Sequence, residues 1–532
     1  MTFMVGIIAS FLIYVLIGIV LSKRIKTSED YYVSGRSGNT LMITGMLVAS
    51  FLSTVSFMGE VGFSYEGYVI PMLTLVIFNA SGYVFGVFLF GRYIRRSRSL
   101  TVPEFFGNRF NSKKVRLAAA ITTVIGISAY LVAVTQGASI LLSEIFGIPY
   151  VFALVIMWIV YSSFTILSGA KGVMINDTIM FFVFSVAAYV SFPFIIKATG
   201  GFPNAIIDAA NNIEKPDLFS WHGVTGPLSY MGSPSEVLIW SITLGLVWGL
   251  VVAISPWQSS RYLMAKSEHV SIRSGIWAMI SIFMIYLFLH ISMGTVNNVN
   301  ATIDPVEKVF IWSAMNLVPT WLGVIIVSGI MAAALSSCAT FLQLIGSSVA
   351  KDIFEQTRKE RMTDSEVLKV SRISMILVSV VILIVGIIQP PSVMWIGYFA
   401  ATLFAASWGP IAFSSIFSKK VTKEGAFWSI IFGFLGVIFG EVLGMFVELS
   451  VFLHPVIIGA ILGVLALIIG SKFGSITEEE IVFREKLLIR PIDPNEKKEM
   501  AITKRYPYYL MGSGLFVIVV TLVFYYYPLT IQ

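Results

Sequence analysis

The chain has 532 residues, of which 57% are hydrophobic and 12% charged, with a formal net charge of +7. A soluble domain carries roughly 25% charged residues, and a water-soluble fold could not hide this much apolar surface. The composition excludes a soluble globular protein and predicts an all-α polytopic membrane protein, while the single cysteine, Cys338, excludes an intrachain disulfide.

Crossing a bilayer core takes about 20 predominantly apolar residues. By that measure fourteen spans are predicted, at about 3–22, 40–65, 68–91, 115–143, 149–168, 173–197, 236–255, 271–297, 320–350, 368–388, 391–417, 424–447, 454–472 and 507–528. The first run lacks a basic leader and a small-residue cleavage site, so it reads as a retained helix. Cytoplasmic loops of membrane proteins are enriched in Lys and Arg. With the N-terminus outside and the loops assigned alternately, the inside loops hold all of the 36 Lys and Arg residues except Lys197, Lys215 and Lys308. A missed span would invert every later loop, so this partition supports fourteen spans with both termini extracellular. Topology and anionic lipid headgroups account for the basic loops, and nucleic acid is excluded as a partner.

The predicted organisation follows from the spans. Residues 1–39 hold the first helix and a cytoplasmic loop, 40–198 a first set of five helices, and 199–235 an extracellular loop placed to cover the outer mouth. Residues 236–417 hold a second set of five, and 418–532 three peripheral helices with the cytoplasmic loop 473–506. That loop is too short and polar for an independent domain, so no ATP-driven engine, catalytic domain or obligatory protein partner is evident.

Charges within the spans are few, and each costs ~2.5–3.5 kcal/mol at a helix centre on insertion scales. Glu60 and Glu441 fall toward outer span ends, where snorkelling or a helix-end role is expected. His290 reads as a packing residue. Asp177 follows Asn176 at an inner span start, which leaves an N-terminal cap and a functional role equally open. No HExxH, Gly-x-Ser-x-Gly or Cys/His pair of plausible spacing occurs, so an enzyme is not expected.

Neutral oxygens remain, and clusters of them suit a weakly bound monovalent cation. Residues 333–352, "AALSSCATFLQLIGSSVAKD", place Ser336, Thr340, Gln343 and Ser347 on one helical face. Residues 48–62, "VASFLSTVSFMGEVG", crowd Ser50, Ser53, Thr54, Ser56 and Gly59 into the second span. Such a run is either a packing seam or a broken helix whose carbonyls face a cavity. In "VWGLVVAISPWQSSR", Gly249 and Pro256 interrupt the seventh span, and Pro frees a carbonyl one turn back. Interruptions five spans apart fit two inverted halves of five helices.

At these residues the chain resembles the sodium:solute symporter family, over about residues 5–420. The motifs are "EDYYVSGRS", "TVPEFFGNRF", "GIPY", "NDTIM", "SPWQSSRYLMAKS", "ALSSCATFLQLIGSSVAKDIF" and "WGPI", in that order on this topology. The resemblance implies a LeuT-type 5+5 inverted-repeat core, with one extra helix before it and three after. It implies Na⁺-coupled symport of a small organic solute into the cell by alternating access, in a multi-pass protein of the cell membrane. Its sodium site falls on the carbonyls of Ala49, Leu52 and Ala333 and the hydroxyls of Ser336 and Ser337. Asp177 and Thr340 would border the ion's path. Members that bind a second Na⁺ use two hydroxyls where this chain has Ala339 and Thr340, so one Na⁺ per cycle is expected. The Gln common three residues after the Asp is here Met180.

For the solute, the sugar branch's polar positions are Phe51, Val55 and Ser56 here, which disfavours sugars. The proline branch carries an Asp where Phe51 stands, although Trp248–Gly249 and Pro256 to Arg261 resemble its sixth core helix. "SFLSTVSFMG" looks closest to pantothenate and monocarboxylate branches, so a carboxylate-bearing solute (monocarboxylate, pantothenate or amino acid) is expected. The candidate pocket residues are Ser53, Ser56, Phe57, Gln136 and Trp248, with Thr340 beside them. Arg261 reads as an inside-loop anchor. The rival readings are a proton-coupled symporter using Asp177 and a transporter-fold solute sensor or channel.

Overall fold

The computed structural model of the protein describes residues 1–22, 27–227, 229–358, 360, 362–388, 392–447, 449, 451–491 and 495–531. The first residues of the basic loop at 23–36, and residues 492–494 of the loop 473–506, lie outside the described residues. Among the described residues the chain is helical throughout, with one isolated bridge between Gly38 and Ala265 and no strand. Backbone donors and acceptors in a hydrocarbon layer must be satisfied within the chain, and helices do this locally.

The main helices are α1 (Thr2–Ser22), α2 (Thr40–Phe51), α3 (Val55–Glu66), α4 (Val69–Ser97), α5 (Lys113–Phe146), α6 (Tyr150–Ala198) and α7 (Pro234–Ile254). They continue with α8 (Pro256–Leu263), α9 (Glu268–Thr295), α10 (Thr320–Thr357), α11 (Asp364–Ile387), α12 (Val393–Phe417), α13 (Lys423–Gly444), α14 (Pro455–Lys472) and α15 (Tyr506–Thr521). By length and composition eleven helices could cross a membrane, or twelve with the bent pair α2–α3 taken as one span. Two shorter apolar helices, Thr2–Tyr14 and Tyr150–Ile166, stand where the sequence expects its first and fifth spans.

The fifth and sixth expected spans are merged into the 49 residues of α6. A straight helix of that length would run about 74 Å at 1.5 Å per residue. Its two ends, however, meet the same end of the bundle. The Tyr150 hydroxyl donates to the Gly386 carbonyl at 3.0 Å, and the Thr199 hydroxyl at the other end donates to Thr295. Glu144, just before Tyr150, pairs with Lys308 at 2.8 Å, and that loop follows directly from Thr295 and Asn300. The two ends of α6 thus meet the same end of the bundle, as the two expected spans would, although its helical assignment runs unbroken from Tyr150 to Ala198.

The loops expected inside also meet one another. Arg96 pairs with Glu268 at 2.7 Å and donates to the Leu487 carbonyl, Arg273 pairs with Glu499, and His269 lies 3.1 Å from Glu496. Arg116 holds Asp352 at 2.8 Å, and Arg36 donates to the carbonyls of Arg98 and Ser99. At the opposite end, Lys215 donates to the Tyr65 carbonyl at 2.8 Å, Val224 donates to Gly67, and Tyr230 stacks on Trp395 with centroids 4.8 Å apart. The 199–235 loop thus lies over the outer end of α3 and α12.

Without a hydrophobic drive between helices in lipid, small residues let backbones approach and pack. α4 and α7 use this: a Cβ on Gly82 would stand 2.1 Å from the Gly249 carbonyl oxygen. α13 and α14 repeat it at Gly436, whose Cβ would lie 2.8 Å from Gly459 Cα. Overpacking a tight core costs typically about 1–3 kcal/mol. Gly82→Val should therefore lower the melting temperature of the detergent-solubilised protein, whereas Gly512→Val, where nothing lies within 4 Å, should leave it unchanged in the same thermal scan.

Candidate ion and solute site

The polar run at 48–62 is a broken helix, not an unbroken packing seam. α2 ends at Phe51, Leu52 is extended (φ −72, ψ 103), and α3 departs at 58°. α3 begins as a π turn over Val55–Glu60. Ser53 caps the restart: its side chain accepts from the Val55 amide at 3.2 Å, and its carbonyl accepts from the amides of Ser56 and Phe57. The carbonyls of Ala49 and Leu52 have no backbone partner among the described residues. The second interruption is milder. Ser255 is extended (φ −59, ψ 150) between α7 and α8, and Pro256 opens α8.

α10 and α6 face this break. Asp177 is fully buried in the interior of α6, so it is not an N-terminal cap. Its carboxylate accepts from the Ser336 hydroxyl on α10, and its other oxygen lies 3.4 Å from Arg261 Nη2 on α8. The same guanidinium nitrogen donates to Thr340 Oγ1 at 2.6 Å. Gly45 of α2 abuts Thr178, next to Asp177, and Ala49 lies one turn further along the same face of α2. Asp177 thus links Ser336 to the α6 segment that packs against α2. The Ser337 hydroxyl is buried with no partner.

The remaining candidates divide into two groups. Thr54 donates to the Val134 carbonyl at 3.1 Å and fills the space beside Gly137, which seats buried Gln136 of α5 next to the break. Ser56 is buried, with its hydroxyl 3.4 Å from the Phe51 carbonyl. Trp248 packs on Phe51 with ring centroids 5.8 Å apart, and on Tyr398 at 5.3 Å. Phe57 points elsewhere: it stacks on Phe310 and contacts Phe184 of α6, so the structure does not bring it together with Trp248.

Along the stripe, Thr340, Gln343, Ser347 and Ser348 line a narrow cavity with Arg261 and Pro256, of about 30 Å³, room for a water molecule or two. It is closed below by the short helix Ser28–Val33, where Gln343 donates to the Tyr31 carbonyl at 2.8 Å. Outward, Phe63, Tyr230, Trp240 and Trp395 close over the break.

Two expectations change and one holds. Arg261 is no loop anchor but a buried partner of Asp177, 2% exposed. Glu60 does not snorkel: it is buried, and its carboxylate accepts from Tyr286 and, at 3.0 Å, from Tyr398. His290 does pack, but beside that cluster, with Nδ1 2.6 Å from the Ser64 hydroxyl. The signal for Arg261 lay in Asp177 itself, since a buried carboxylate requires a cation and Arg261 is the basic residue of "SPWQSSR". Removing one partner of a buried ion pair costs about 3–5 kcal/mol because the other charge is stranded. Asp177→Asn should therefore destabilise the protein strongly, and Asp177→Asn/Arg261→Gln should recover much of the loss, as read by thermal unfolding.

Known proteins agree with this geometry. The sodium:solute symporter family model matches residues 31–433. The chain is 23% identical to the sodium/proline symporter of Escherichia coli over 481 residues, covering 86% of this chain and 91% of that one. It is 23% identical to the sodium/pantothenate symporter of the same organism over 455 residues, covering 84% and 91%. A monocarboxylic acid transporter of Corynebacterium glutamicum is 24% identical over 482 residues, covering 85% and 84%. Among solved structures, a Na⁺-coupled sialic acid symporter in a substrate-bound outward-open state superposes with a TM-score of 0.74 at 18% identity, covering 90% of this chain and 99% of that one. The likeness shows that the two chains share a fold.

Proposed function

We propose, from the premise that the chain belongs to the sodium:solute symporter family and is therefore a sodium-coupled symporter of a small solute, not an enzyme, that its ion sits at the α2 break. The ligands are the carbonyls of Ala49, Leu52 and Ala333 and the hydroxyls of Ser336 and Ser337. The observation that supports this reading is a set of buried oxygens without partners: two carbonyls freed by the break of α2 and the Ser337 hydroxyl of α10, a helix that packs on α2.

The chemistry of the set fits Na⁺. Among the described residues no group of three or more His, Cys, Asp or Glu side chains is disposed to hold a metal, so a divalent ion lacks its charge complement. Neutral oxygens replace a monovalent ion's hydration shell and still let it leave. Ser336 donates its proton to Asp177 and keeps its lone pairs for the ion, which the carboxylate makes more electron-rich. Arg261 neutralises Asp177, so Asp177 strengthens the site without turning it into a trap. The same pairing argues against Asp177 as the titrating acid of a proton-coupled carrier. One Na⁺ moves per cycle, since Ala339 offers no hydroxyl for a second.

Release runs inward past Asp177, Arg261 and Thr340 to the stripe ending at Ser348, once the Ser28–Val33 helix withdraws. The solute, a small carboxylate-bearing molecule, lies between the two breaks, against Ser53, Ser56, Trp248 and Gln136. Ser53 already takes the amides that open α3, so the side-chain amide of Gln136 would be the donor for the carboxylate. Fourteen spans with both termini outside agree with the meeting of the basic loops at one end. One charge crossing 100 mV supplies ~2.3 kcal/mol. At ~1.4 kcal/mol per tenfold that is roughly 50-fold accumulation of a solute with no net charge. A monoanion carried with one Na⁺ moves no net charge and gains only from the Na⁺ gradient.

Ser336→Ala/Ser337→Ala should raise the Na⁺ concentration that half-stabilises the purified protein against heat by at least about tenfold, ~1.4 kcal/mol. Unchanged Na⁺ stabilisation in that variant would remove the site assignment.

A further inference from the structure

The interior holds two carboxylates near the helix breaks, and they are treated differently. Asp177 has Arg261. Glu60 has no Lys, Arg or His nitrogen within 4.0 Å among the described residues; its oxygens accept from neutral hydroxyls, the phenols of Tyr286 and Tyr398 and the side chain of Ser56. Charges inside membrane proteins are paired or face a functional cavity, so the missing counter-charge needs an account.

The surroundings give one. Phe51 closes α2, Trp248 sits in α7 two turns before the second interruption, and Tyr286 and Tyr398 come from α9 and α12. Their rings form a continuous wall: Phe51 to Trp248 at 5.8 Å, Phe51 to Tyr286 at 6.1 Å, and Trp248 to Tyr398 at 5.3 Å. The wall therefore spans the interface between the two sets of five helices, where symporters of this architecture bind their solutes. Beyond Tyr286, His290 stacks at 5.0 Å and keeps a buried, partnerless Nε2. Aromatic faces with one carboxylate are the chemistry that recognises an organic ammonium ion. While Glu60 is ionised, a neutral or purely anionic solute would leave its charge uncompensated.

We propose that Glu60, with the ring wall of Phe51, Trp248, Tyr286 and Tyr398, binds a positively charged amine on the solute, so that the solute brings the counter-charge the protein lacks. The inference rests on the symport reading above and narrows its substrate class. Glu60 lies six residues beyond Thr54, which packs beside Gly137 and so near Gln136, and is at most about 9 Å along the helix from that level of the site. An α-amino acid holds its nitrogen and carboxyl carbon only about 2.5 Å apart. The spacing fits a longer zwitterion, an ω-amino carboxylate, with its amine outward at Glu60.

The test is Na⁺-dependent thermal stabilisation of the purified full-length protein by matched pairs: ω-amino carboxylates of four to six carbons, each against its ω-hydroxy counterpart, in Na⁺ or K⁺. At least one amine should half-saturate at a concentration tenfold or more below its hydroxy partner, and Glu60→Gln should abolish that preference while Tyr398→Phe, which keeps the carboxylate, retains it. Equal or better binding of the hydroxy compounds, no binding by any amine, or a preference surviving in Glu60→Gln overturns the proposal. If Glu60→Gln does not fold, the matched pairs on the unaltered protein and Tyr398→Phe still decide it. Stabilisation by Na⁺ alone over K⁺ reports separately on the sodium site: its absence defeats the symport reading, whereas its presence without amine preference defeats this inference only.

Discussion

The buried pairing of Asp177 with Arg261 ties the core together. It joins α6 to α8, and through the hydroxyls of Ser336 and Thr340 it joins both to α10. Each of the four groups would be a liability alone in an apolar interior, where an unmatched charge costs far more than it does in water. Held together they make a compact polar joint among helices that otherwise meet through small residues and rings. The joint also lies across the path between the two interrupted helices, so any ion or solute passing inward must rearrange it. A stabilising contact and a gate are here the same atoms.

The proposed ion site is built on the opposite principle. Its oxygens are neutral, and two of them exist only because α2 stops at Phe51. A continuous helix would have consumed the Ala49 carbonyl in its own ladder. The break is in turn held from outside, by Thr54 bonded to Val134 and seated against Gly137, and by Ser53 capping the restart. The irregular backbone persists because protein, not lipid, surrounds it. Charge is kept one step away, on Asp177, where it polarises Ser336 without contacting the ion directly.

Much of this was legible in the sequence because two constraints act on composition. Hydrophobic length gave the spans, and the placement of Lys and Arg gave their order. Those basic loops meet at one end of the bundle, and both ends of α6 meet the same end of it. The clustered hydroxyls at 48–62 located the break, though periodicity alone left a packing seam equally open; the extended Leu52 decides it. What stayed hidden depends on tertiary pairing. Arg261 follows a Pro near a span end and reads as an anchor, because nothing local shows that α8 carries it back inside to Asp177. Glu60 reads as an outer-end residue, because the π turn that buries it and the phenols of Tyr286 and Tyr398, more than 200 residues away in sequence, have no local signature. Phe57 was placed on the wrong side for the same reason, since the π turn rotates it toward Phe184 and Phe310.

The two ends of the path are closed by different chemistry, and this bears on how binding is coupled to opening. Inside, the closure is polar and local: one short helix held through Gln343 and the Tyr31 carbonyl, and a Tyr32 hydroxyl 2.6 Å from Ser371. Outside, it is a stack of rings from α3, α7, α12 and the 199–235 loop, non-directional and broad. A ligand shifts a conformational equilibrium only by its difference in affinity between states. At the proposed sites, Na⁺ between α2 and α10 would tighten one interface of the break, and a solute against Phe51 and Trp248 would engage the rings that close the outer side. Both act on the residues flanking Leu52, so each ligand's preferred position of α2 and α3 is also the other's, which is the thermodynamic condition for coupling them.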